Sequence, residues 1–191
     1  MAEDLALTDY QLGLRTRFLA APVVAAPAPW RPADNHEIAV GGLLGVGFGV
    51  DPVSGRDLLL LVVSSQGLGL LDAVTGERLA RDRDDDLGWP DDDLTCPGIG
   101  VLEGVRVPVA GLAGGGLHTG ADGWSVDVVS PDWPHDRVLL STWSPFRGEH
   151  GEGWWHVFHS RHSELRAAGF SPSGRTLVVA TSSDVTLWTR A

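Results

Sequence analysis

The sequence contains no lysine: all 14 of its basic residues are arginine, set against 25 acidic ones, for a formal charge of −11. A balance this acidic repels phosphate backbones, because a nucleic-acid binder needs a basic stripe to release counterions, so nucleic acid is not an expected partner. The missing lysine also rules out a phosphate loop of the G-x-x-x-x-G-K type. A single cysteine, Cys96, excludes an internal disulfide framework and a four-cysteine zinc site, and it favours a reducing compartment. The longest purely apolar run, Leu58 to Val63, is far too short to span a bilayer, and the opening MAEDLALTDYQ carries acids where a secretory signal carries basic residues. The expectation is a cytoplasmic protein with no membrane partner. Its Ala, Gly, Val, Asp and Arg bias matches high-GC bacterial coding.

Long helical patterns are scarce beyond residue 20. What fills the chain is Gly (25 residues), Pro (12) and short runs of Val, Leu and Thr, the composition of an all-β domain. One short helix is expected within residues 4–20, where Leu5, Leu7, Leu12, Leu14, Phe18 and Leu19 fall loosely at helical spacing and Thr8 or Asp9 can cap the first turn. Four prolines between residues 22 and 32 then remove backbone donors and impose an extended strap. The chain therefore divides at residue 35 into a helix with strap (1–35) and a repeat region (36–191).

The repeat is read from GFGVDPVSGRDLLLLVVSSQGLGLLD (47–72) and GFSPSGRTLVVATSSDVTLWT (169–189). Each has Gly-Phe, a proline turn, Ser-Gly-Arg, an apolar strand, Ser-Ser, and a second apolar strand. A weaker copy is VVSPDWPHDRVLLSTW (128–143). With Arg56, Arg137 and Arg175 as the ruler, a period near 40 fits, and a further copy falls near residue 96, where it is divergent or absent. The run Phe170-Ser171-Pro172-Ser173-Gly174-Arg175, its strand, and Asp184-Val185-Thr186-Leu187-Trp188 resemble a WD-repeat β-propeller blade; Asp72-Ala73-Val74-Thr75-Gly76-Glu77 is similar to the Asp-x-x-Thr-Gly-Glu hairpin of such blades. The resemblance implies a small β-propeller, or a propeller-like arc of about four blades, with a short N-terminal helix. The terminal blade lacks an outer strand, which HEIAV (36–40) is expected to supply. The arc is either closed within one chain or completed by a second copy as a homodimer.

Several residues invite chemistry. Asp82, Asp84 and Asp86 have the alternating spacing of a calcium loop, with Asp93 placed to close it, although the glycine at 88 is one position late; the competing reading is a solvated loop. His156, His159 and His162 would share a face and hold zinc on a helix, but on a strand His159 points away from the other two. Aromatic neighbours favour the strand. Cys96 has no spacing to a histidine that makes it a nucleophile. No enzyme template is matched. Among the eight tryptophans, Trp133, Trp154 and Trp155 beside Phe146 and Arg147 of the long irregular segment 144–155 form the expected partner-binding set. The reading is a non-catalytic scaffold that binds another protein and needs no cofactor. The alternatives are a metal-assisted hydrolase or lyase, using calcium or zinc, and a sugar-binding lectin with one pocket per blade.

Overall fold

A computed structural model of the chain describes residues 6–84, 90–111 and 116–190. Among these, fourteen strands accompany one α-helix, so the chain is mostly β, built of open antiparallel sheets. Helix α1 (Asp9–Ala20) begins at Thr8, whose hydroxyl accepts from the Gln11 N–H at 3.3 Å while the Gln11 side chain accepts from the Thr8 N–H at 2.8 Å. This reciprocal cap satisfies two otherwise unpaired donors. The helix stops at Ala21 because Pro22 forces its predecessor into an extended conformation.

The repeat appears as two matching hairpin series. β2 (Leu43–Gly49), β3 (Leu59–Ser64), β4 (Gly67–Asp72) and β5 (Arg78–Asp82) form one meander; β12 (Leu165–Phe170), β13 (Thr176–Thr181) and β14 (Asp184–Thr189) form the other. They agree in detail. Both inner strands slip register by one residue near their start, after Leu43 and after Leu165. Both following turns are closed by a backbone bond, Asp51 N–H to Arg56 at 2.7 Å and Ser171 N–H to Thr176 at 2.8 Å. The outer strand missing from the second series is β1 (Arg31–Ala39), which pairs antiparallel with β14 through Glu37 opposite Thr186 and Ile38 opposite Val185. The expected closing strand is therefore in place. It starts at Arg31, so the boundary drawn at residue 35 falls inside it.

The weaker copy is β9 (Ser125–Asp132), β10 (His135–Ser141) and β11 (Trp154–Ser160). Here the arginine ruler fails: Arg137 lies within β10 and is buried, while the turn is made by Trp133 and Pro134. The copy expected near residue 96 is a stunted hairpin, β6 (Thr95–Pro97) with β7 (Arg106–Pro108); β8 (Ala110–Gly111) joins the edge of β2 instead.

All six residues of β3 and of β13 are buried, so these sheets are covered on both faces. One apolar cluster joins Val178, Val185 and Leu187 to Leu60, Val62 and Leu71. A second joins Phe170, Val179 and Trp188 to Val138, Leu140 and Val157. A third packs Leu61 and Leu70 against Cys96, Leu102 and Val107 of the stunted hairpin. The sheets thus stack face to face in the order β9–β11, then β12–β14 with β1, then β2–β5, then β6–β7. Polar bonds tie neighbouring sheets: Asp57 accepts from the Ser173 N–H at 2.7 Å, and Asn35 bonds the Thr75–Gly76 turn.

Ile38 is the larger of the two buried β1 residues, with Ala33, in the first cluster. Ile38→Ala is expected to cost about 2 to 4 kcal/mol of unfolding free energy in urea and to make residues 31–39 the first site of limited proteolysis.

Candidate interaction surface

The face of the β9–β11 sheet turned away from the stack is covered by α1. Phe18 meets Trp154 edge-on with ring centroids 5.6 Å apart and Phe146 at 5.8 Å, and Leu139 completes the seat. Two helix arginines fix the register. Arg15 Nε donates to the Pro131 carbonyl at 2.8 Å; Arg17 donates to the carbonyls of Phe146, Arg147 and Gly148 and lies over the Trp154 ring at 5.0 Å. The segment 144–155 is therefore held by the chain's own helix.

The expected partner-binding residues separate accordingly. Trp154 is 1 % exposed and is corrected from surface anchor to core, because Phe18 and Arg17 cover it. Trp155 is half-buried against Trp124, with centroids 6.0 Å apart. Phe146 leans on Phe18 yet keeps 41 % of its surface open, and Arg147 is exposed. Trp133 is 82 % exposed at the tip of the β9–β10 turn. It rims a cleft of about 460 Å³ whose other walls are Leu7, Gln11, Arg15 and Phe18 of the helix segment and Val129 of β9. Tyr10 and Leu12 on α1, and Leu7 just before it, are exposed, which the loosely spaced leucines did not foretell. Trp143, 91 % exposed at the other end of β10, was also missed.

Beneath the helix lies a group of histidines that the strand reading put on opposite faces. The β10–β11 ladder slips by one residue, pairing Val138 with Phe158 and Leu139 with His156, so Val157 is extra. A bulge of this kind reverses the alternation beyond it. His156 and His159 consequently face the same way, 5.6 Å apart, while His162 lies exposed in the turn beyond the strand. Buried Arg137 lies near both His156 and His159: it grips the Asp132 carboxylate with two nitrogens at 3.2 and 3.3 Å and donates to the Phe18 carbonyl at 2.9 Å. That fork holds the Asp132 carboxyl below its usual range. His156 Nδ1–H donates to the Ala21 carbonyl at 2.9 Å and its Nε2 has no partner. Desolvation lowers the pKa of His156, and desolvation with the nearby Arg137 and Arg161 lowers that of His159.

The acidic candidates do not converge. Asp82 accepts from the Asp84 N–H at 3.0 Å, and Asp93 accepts from Thr95 N–H and hydroxyl at 3.0 and 2.7 Å beside Arg106; Asp86 lies outside the described residues. Among the described residues no cluster of three or more His, Cys, Asp or Glu side chains is placed to hold a metal ion. Burial pushes the Cys96 thiol up to about 11, so it is protonated at neutral pH. A second cavity of about 370 Å³ lies between the inner strands, with Phe48, Leu94, Pro108 and Phe170 around it and Asp93 at its rim. No helix among the described residues is long and apolar enough to cross a membrane. No family model, curated protein or solved structure matches the chain.

Two outcomes are expected of the helix seat. Arg137→Ala leaves Asp132 half-buried without its partner and should lower stability by about 3 kcal/mol in urea unfolding, with release of α1 to proteolysis. The buried histidines predict loss of stability in acid. Their folded pKa is depressed, so at pH above about 6.5 both states are neutral, and below it the unfolded chain takes up protons that the folded one does not. The urea midpoint should be level from pH 8 to 7 and fall towards pH 5, with a shallower fall in His156→Gln.

Proposed function

We propose that the chain is a non-catalytic protein-interaction module built on a propeller-like arc, in which the four stacked sheets act as two full blades, one three-stranded blade and one stunted one. The stacking order, the two-faced burial of the middle strands and the closing strand β1 support the blade reading. Such a stack makes a rigid body whose turns present the variable surface.

The observation that carries the binding reading is Trp133, left 82 % exposed at the rim of the cleft it shares with Leu7. A large amphipathic ring exposed at a cleft rim is the kind of residue that anchors a partner. The groups an enzyme would recruit are engaged elsewhere: Asp132 holds Arg137, Asp93 accepts from Thr95, and the Cys96 thiol stays protonated.

Affinity capture with the intact chain beside Trp133→Ala and Trp143→Ala tests the assignment. A protein retained by the wild type and Trp143→Ala, and weakened about tenfold or more by Trp133→Ala, supports it. Equal capture by all three, or capture of nothing, sinks it. Light scattering on the same samples shows whether the partner is a second copy of the chain.

A further inference from the structure

Six of the fourteen arginines make ion pairs or tie the helix to the sheet. Arg106, Arg137, Arg166 and Arg190 pair with carboxylates, and Arg15 and Arg17 hold carbonyl oxygens. Arg78, Arg81 and Arg83 do not fit this pattern. Arg81 donates to the Gln66 carbonyl at 2.7 Å, and none of the three has a carboxylate within ion-pair distance among the described residues.

Their arrangement follows from a second bulge. The β4–β5 ladder pairs Leu70 with Ala80 but Leu71 with Arg78, leaving Leu79 extra. The slip turns Arg78 onto the face that carries Arg81, opposite Gly69, and Arg83 follows two residues on. Ala80 packs towards the stunted hairpin on the other face, and Asp82, which alternates with Arg81 and Arg83, shares that side. The arginines therefore line one wall of a groove of about 520 Å³ between the β2–β5 sheet and β1. Ile38 to Gly41 form the facing wall, and Val62 and Leu71 with the bare backbone of Gly69 form the floor. At about 3.3 Å per strand residue the three guanidinium stems spread over roughly 13 Å.

The three cations share one groove wall, and no acidic side chain among the described residues lines the groove with them. The guanidinium fork matches oxyanions in bidentate fashion. The geometry points to a binding site for a small organic ligand that carries two or three oxyanion groups, phosphate or carboxylate, on a partly apolar body. The spread of the arginines selects against a single phosphate. The apolar floor seats the body, and the size of the groove is that of a small-molecule site. This site is separate from the helix cleft and independent of the protein-binding reading.

Isothermal titration of the intact protein with tripolyphosphate and, separately, citrate at constant ionic strength tests the site. The expected result is saturable one-to-one binding of at least one probe, which shows whether phosphate or carboxylate is preferred. It should weaken about tenfold in Arg81→Ala, beyond detection in the triple alanine variant of 78, 81 and 83, and remain unchanged in Arg175→Ala. Gly69→Val, which fills the floor without altering charge, should also weaken it; a Cβ there stands an ordinary 3.8 Å from Arg81 Nη1, so the variant is expected to fold. The assignment is overturned by absence of saturable binding for both probes. It is equally overturned if Arg175→Ala weakens binding as much as Arg81→Ala, which would mark general charge attraction.

Discussion

Pairing of β1 with β14 joins the first strand of the chain to the last, and the rest of the architecture depends on it. Without β1, β14 would present a bare edge, and the outer part of the Val185 and Leu187 face would lose Ile38. The same pairing fixes where the preceding segment must run. From Trp30, buried against Trp124 and Phe170, the strap leads back along β11, where the Val24 N–H meets the His156 carbonyl at 2.8 Å. Helix α1 is thereby delivered to the exposed face of the β9–β11 sheet. A helix this short has little stability alone, so its position is set by the strap and by Phe18.

Two single-residue bulges decide most of the polar chemistry. The extra Val157 turns His156 and His159 to one side, under the helix, where Arg137 and Asp132 already satisfy each other. The extra Leu79 turns three arginines to one side, where no described carboxylate satisfies them. The local event is the same in both cases, and the outcome depends on what packs opposite. Beneath α1 the neighbouring groups are backbone carbonyls and an aspartate, so charge is neutralised internally. In the groove the described lining adds apolar side chains, bare backbone and the uncharged Ser65 and Gln66, so charge is left for something outside the fold.

The hairpin series were legible because their turns carry explicit chemistry. Gly174 takes φ of +70° and Gly76 φ of +75°, conformations that glycine adopts without strain, and Asp72 accepts from the N–H groups of Val74 and Thr75 at 2.8 Å. The closing role of residues 36–40 was legible by counting strands. The ruler failed at Arg137 because an arginine in a turn and an arginine inside a strand look alike in sequence. Bulges carry no sequence signal of their own; they appear only when two strands are aligned, which is why the histidines were assigned to opposite faces. Trp154 was misplaced because its cover, Phe18, lies far from it in sequence and belongs to a helix with no clear apolar stripe.

The absence of lysine acquires meaning in this frame. A buried cation under α1 must satisfy a carboxylate and a carbonyl at fixed angles, which a planar fork does and a rotating ammonium does poorly. Arg17 similarly spreads over three successive carbonyls and an indole ring. In both places the guanidinium acts as a rigid connector between elements distant in the chain. A connector has its donors spoken for; Arg78, Arg81 and Arg83, with Arg81 alone held to a carbonyl, keep most of theirs turned to solvent. The physical distinction between structural and receptive arginines is therefore visible in the partners each one has, and it separates the helix seat from the groove.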